Sequence, residues 1–187
     1  VTGVQTCALP IWAQHHVTLP ARFQLVGATN PCPCGEGLRP GVCRCDERSR
    51  RRYLGRLSGP ILDRFDLRVA VERSQVGELM ATEPSESSAT VAKRVERARN
   101  LAVERSGGTN ANIPQSEIDT FAPLSTGAVS RLRAEIDAGH LTGRGLHRVR
   151  RTARTIADLE PTPEEIIDER HIEMALSLRT AIGVERQ

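Results

Sequence analysis

The chain has 187 residues, 39% hydrophobic, 26% charged and 3% aromatic, with a net charge of +3. That holds one ordinary domain, or part of one with a small companion, around a core of Leu, Ile, Val and Ala rather than aromatic rings. The mild charge does not establish a nucleic-acid partner, no run reaches the ~18 apolar residues of a membrane span, and a soluble cytoplasmic protein is expected.

Residues 1–11, VTGVQTCALPI, read as a sequencing-library adapter translated in frame, and are set aside from fold reasoning together with Cys7. His15 and His16 suit a polar turn or strand edge better than a metal site. The apolar run 23–28 predicts a strand of a parallel sheet, and ligands in open α/β folds sit beyond the carboxyl ends of such strands. Asn30 stands there, with an amide that both donates and accepts; it is also a turn former before Pro31.

Four cysteines follow, Cys32, Cys34, Cys43 and Cys45, spaced C-x-C, eight residues, C-x-C. In a reducing compartment such pairs suit metal rather than disulfides, and four thiolates would close a structural zinc site with no open catalytic position. Free or regulatory thiols are the alternative. Arg44, Arg48, Arg50, Arg51, Arg52 and Arg56 come next with Tyr53 among them. This run fits either a solvated helix face or a phosphate backbone with a stacked base.

A short helix is predicted over 57–62, since Ser58 can cap it and Pro60 is tolerated in its first turn. It delivers Arg64 before a second strand-like run, 67–71. An Arg held rigidly at a helix end suits the transition-state charge of a phosphoryl group, although most surface arginines are only solvated. A polar linker, 75–88, then leads to helices predicted from Ser85–Ser88 to about Arg105, over 114–121, 125–138 and 145–159, and over 168–179. The buried stripe of the long 145–159 helix is Leu146, Val149, Ala153, Ile156 and Ala157. Arg144, Arg148 and Arg151 share its basic face.

Lys93 is the only lysine, and no glycine lies near it. A P-loop requires G-x-x-x-x-G-K-[ST], so the chain has none. It also lacks an apolar strand ending in Asp-Glu that would hold a metal ion.

Together, ATNPCPCG, the paired C-x-C loop, LSGPILDRFDL and TARTIADLE resemble the magnesium-chelatase-like AAA+ ATPases of the ComM/YifB type, over about residues 17–179. The resemblance implies α/β plus α-helical architecture: the C-terminal remnant of a P-loop core with two recognisable strands, 12–74, then an all-α lid, 89–187. The P-loop and metal-holding acid would lie upstream, and this portion alone would be inactive. By the same resemblance Asn30 is sensor 1, Arg64 an arginine finger acting on the neighbouring subunit's ATP, and Arg144 sensor 2. Gly143 and Gly145 depart from the family's S-A-R-x-x-x-R pattern there, which leaves Arg148 as the fallback. ATP and Mg2+ are the implied cofactors. A homo-oligomeric ring of six subunits and branched or single-stranded DNA are the implied partners. A branch-migration helicase of DNA uptake and recombination is the implied function. A motor for metal insertion into a porphyrin, or a zinc-stabilised DNA-binding module without enzymatic activity, are the alternatives.

Overall fold

The computed structural model describes residues 6–10, 16–20, 23–37, 41–71 and 86–179. Two compact units divide the chain between Asn30 and Pro31. In the first, β1 (Thr6–Pro10) pairs antiparallel with β2 (His16–Pro20), in a register running from Thr6 opposite Pro20 to Pro10 opposite His16. The adapter-like stretch thus contributes a strand.

Neither predicted core strand forms. Residues 23–30 carry no regular structure, and Phe23, Leu25 and Val26 are 76%, 65% and 83% exposed. Residues 67–71 make only an isolated parallel bridge, Arg68 to Arg179. A parallel strand is held by ladder bonds to its neighbours, and among the described residues neither run forms a ladder with another strand. Their apolar side chains therefore remain in water.

The second unit is helical. Asp46 caps α1 (Glu47–Leu54) by accepting the Ser49 N–H, and α1 buries no residue. Ser58 precedes the single turn α2 (Gly59–Leu62), with Pro60 in its first turn as anticipated. Most of the predicted linker lies outside the described residues. Beyond it, α3 (Ser88–Ser106) starts at Ser87, whose side chain accepts the Thr90 N–H, and stops at Gly107, where φ of +70° favours a residue without Cβ. The short α4 (Ile118–Phe121) leads to α5 (Thr126–Asp137), α6 (Gly143–Leu159) and α7 (Glu169–Ser177).

The core lies where α6 and α7 pack together, with α3 against α6 and α5 against α7. Val149, Ala153 and Ala157 on α6 and Ile172 and Ala175 on α7 are fully buried, and Ile113, Ile118, Leu132 and Ile167 complete the cluster. Fully burying a side chain such as Ile172 stabilises by about 1.5–3 kcal/mol. Small residues let α3 approach closely: only Ala98 and Ala102 of that helix are buried, while Val95 is 46% exposed.

Candidate functional site

Three groups of polar residues stand out in the second unit. The first is the cysteine loop. All four sulfurs, of Cys32, Cys34, Cys43 and Cys45, lie within 4.8 Å of one another. Cys32 Sγ is 3.3 Å from Cys34 Sγ and 3.7 Å from Cys43 Sγ, and Cys34 is 3.7 Å from Cys43. Sulfurs at the corners of a zinc tetrahedron sit about 3.8 Å apart, from Zn–S bonds of about 2.3 Å. The backbone N–H groups of Glu36 and Arg44 pull the Cys34 thiol down to about 6, whereas sharing a proton with Cys34 pushes Cys45 up to about 12. Four adjacent thiols cannot all ionise without a cation between them. The donor set and spacing fit zinc.

Helix α1 leaves this loop. Arg48, Arg51, Arg52 and Arg56 are exposed, Arg51 is held at 2.8 Å by Glu47, and the Cys43 sulfur acts as acceptor for Arg50 and raises its pKa.

The second group is a cleft of about 900 Å3 formed by α2, the turn after it, the end of α5 with Glu135, the turn that follows, the start of α6 and the end of α7. Arg64 and Arg144 both line it, with Arg68, Arg148 and Arg179. Arg64 is exposed, and its Nη1 donates to the Pro60 carbonyl at 2.8 Å. Arg144, also exposed, sits one residue inside the N-terminus of α6. Among the described residues neither one pairs with a carboxylate. The other arginines of α6 are committed. Arg148 pairs with Asp66 at 2.6 Å, Arg150 with Asp119 at 2.6 Å, and Arg151 donates to the Ile113 carbonyl at 2.6 Å. Of that face, Arg144 is the arginine without a carboxylate or carbonyl partner among the described residues.

Asp63 and Asp66, on either side of Arg64, turn towards the lid. Thr142, the N-cap of α6, accepts the Gly145 N–H at 3.0 Å and donates to Asp63 Oδ2 at 3.2 Å. Arg179 reaches Asp63 Oδ1 at 3.2 Å and the Phe65 carbonyl at 2.8 Å. The Arg68 N–H donates to the Leu178 carbonyl at 2.6 Å, and its guanidinium donates to the Arg179 carbonyl at 3.0 Å. Burial lowers the pKa of Arg179, and Arg68 beside it lowers it further. Gly145 fits tightly, since a Cβ there would lie 2.9 Å from Leu141 Cδ1 and 3.3 Å from the Thr142 hydroxyl. One of the two glycines that break the expected pattern therefore has a packing role.

The third group is structural. Asp158 is fully buried and accepts from Arg105 at 3.1 Å, Arg154 at 3.2 Å and Asn110 at 2.7 Å. The fully buried Arg154 also donates to the Glu164 and Glu165 carbonyls. Sequence reasoning missed this network and the Asp63–Arg179 and Asp66–Arg148 contacts, because their partners lie far apart along the chain. Only Arg154 and Asp158, four apart on one helix, left a local signal. Asn30 ends the first unit, exposed, with its carbonyl accepting from the Thr29 hydroxyl at 3.2 Å.

Two family models match the chain one after the other: magnesium chelatase, subunit ChlI, over residues 10–79, and magnesium chelatase, subunit ChlI C-terminal, over residues 85–179. The chain belongs to this magnesium-chelatase-like AAA+ family, and within it to the ComM/YifB type. It is 40% identical to the protein YifB of Escherichia coli over 164 residues, which is 87% of this chain and 32% of that protein. It is 37% identical to the competence protein ComM of Haemophilus influenzae over 171 residues, 91% of this chain and 33% of that protein. A Mycobacterium bovis protein is 42% identical over 164 residues, 86% of this chain. The chain spans about a third of the length of these relatives. Among the described residues, no helix is long and apolar enough to cross a membrane.

Proposed function

We propose that this chain is the C-terminal part of a ring-forming, hexameric AAA+ ATPase that remodels DNA, and that it completes a nucleotide site whose P-loop lies elsewhere in the intact protein. The observation that carries this reading is the cleft in which Arg64 and Arg144, each without a carboxylate partner among the described residues, face the same space. A cleft with five arginines along its wall suits a polyphosphate, and guanidinium groups match phosphate oxygens in geometry as well as charge.

ATP with Mg2+, when bound, supplies the phosphoryl bond that breaks. Arg64 acts as the finger, donating to the oxygens on which charge accumulates in the transition state. Arg144 holds the same polyphosphate from the lid. Because the two line one cleft, both are assigned to a single nucleotide held by the adjoining subunit, instead of one to each of two nucleotides. Asn30 serves as sensor 1 at the end of a core strand, and the runs 23–28 and 67–71 become strands once paired within the complete core. Residues 12–74 then belong to the core, 75–88 to a linker and 89–187 to the lid.

DNA, branched or single-stranded, is the assigned partner of the basic helix α1 and the turn after it, whose exposed Arg48, Arg51, Arg52 and Arg56 can track a phosphate backbone. Zinc held by Cys32, Cys34, Cys43 and Cys45 would fix the loop that carries this helix. A branch-migration helicase is the activity these parts fit best; a relative named as a competence protein is consistent with it. In the full-length protein, Arg64→Ala is expected to leave ATP binding near normal and to lower turnover by about a thousandfold. Turnover at the wild-type rate would remove Arg64 from the mechanism.

A further inference from the structure

The turn that carries Arg64 is attached to the lid at several points. Asp63 is held by Thr142 and Arg179, and Asp66 by Arg148. Arg179 also binds the Phe65 carbonyl, and the Arg68 backbone bridges to the segment that follows α7. These partners come from the N-cap of α6, from the second turn of α6, and from the chain beyond α7. Arg144 lies between the first two of them. The side chain of Arg64 lines the same cleft, and its guanidinium donates to the Pro60 carbonyl of its own helix instead of to the lid. Neighbouring residues of one turn therefore divide the work: the aspartates grip the lid and the arginine faces the ligand space.

Resting on the reading above, we propose that Asp63 and Asp66 are positioning residues that lock the Arg64 turn to the lid, so that Arg64 and Arg144 reach the polyphosphate as one preset pair. Two guanidinium groups carried on separately moving elements would have to be aligned at each turnover. Fixed to one body, they hold their spacing, and a misplacement of about 1 Å in such a group can cost about a hundredfold in rate. Rotation of the lid then carries the finger with it. Opening and closing of the neighbour's site is coupled to the lid rather than to the core alone.

The test uses charge exchange in the full-length ATPase. Asp66→Arg and Arg148→Asp are each expected to lower kcat between about tenfold and a hundredfold with KM for ATP near the wild-type value. The double variant, with the pair reversed, is expected to recover most of that loss. Hydrogen exchange at the Arg68 amide reports docking independently of activity, and should speed up in each single variant and slow again in the double. Asp63→Asn should give a smaller loss of kcat, because the Thr142 contact survives. If Arg64→Ala abolishes turnover while both Asp66→Arg and Asp63→Asn turn over at the wild-type rate, this inference is overturned and the reading of Arg64 stands. Failure of the reversed pair to recover kcat, with Arg68 exchange restored, overturns it as well. Wild-type turnover in Arg64→Ala overturns both.

Discussion

The cysteine loop with α1, residues 31–56, and the lid, residues 86–179, are both rich in arginine, yet they are held together by different forces. In the loop region Cys32 is the only buried residue among those described, and α1 buries nothing. In the lid a continuous apolar cluster runs from Ile113 to Ala175 and encloses fully buried charges. Hydrophobic burial can account for the lid, but not for a loop whose side chains remain in water. The zinc proposed above, held by the four adjacent sulfurs, would supply such a loop with a cross-link.

Removing that cross-link gives the largest expected effect. Structural zinc binds with an apparent free energy of about 10–16 kcal/mol, which for a loop without a core is its folding free energy. Metal analysis is expected to find one zinc per chain, lost in Cys32→Ser. Trypsin should then cut at the arginines of α1 while 86–179 stays resistant. If α1 resisted trypsin equally well without metal, the contrast between the two regions would collapse.

A smaller effect is expected in the lid. Asp158→Ala leaves Arg105 and Arg154 without their buried counter-charge, which should cost about 3–5 kcal/mol in a urea titration and leave the zinc content unchanged. A cost below about 1 kcal/mol would mean that the apolar cluster alone holds the helices.

The smallest concerns acid. The Ser125 hydroxyl, followed by the Glu169 N–H, lowers the pKa of Asp168, and Arg131 lowers that of Glu135. Both carboxylates bind protons more weakly when folded, so their stabilisation is complete above the ordinary carboxylate range of about 4 and is lost as the pH falls through the lowered native values. Thermal melts of the lid should be flat from neutral pH to about 5 and fall below 4. Asp168→Asn should flatten that fall, and an unchanged acid slope would discount the contact between α5 and α7.

The helices could be read from the sequence because their signals are local. Ser87 and Thr142 cap them, Gly107 ends one, and the α6 stripe of Val149, Ala153 and Ala157 is buried as its spacing requires. The four cysteines were legible as a group for the same reason. The runs 23–28 and 67–71 carry the composition of strands, but a strand is completed by its neighbours rather than by its own residues. The contacts of Asp63 and Asp66 with Arg179 and Arg148 span 116 and 82 positions, and nothing in the adjacent residues announces them. That Arg148 is paired with Asp66 was equally hidden from the residues around it.

Subunit mixing tests the central claim most directly. Full-length Arg64→Ala protein retains its own nucleotide grip, and a second variant without its P-loop lysine retains Arg64. Each alone should be close to inactive. Mixed and allowed to exchange subunits, they should regain ATPase activity, because an intact Arg64 now faces an intact nucleotide site across the interface. A mixture as inactive as its components would contradict the assignment of Arg64 to a neighbour's nucleotide.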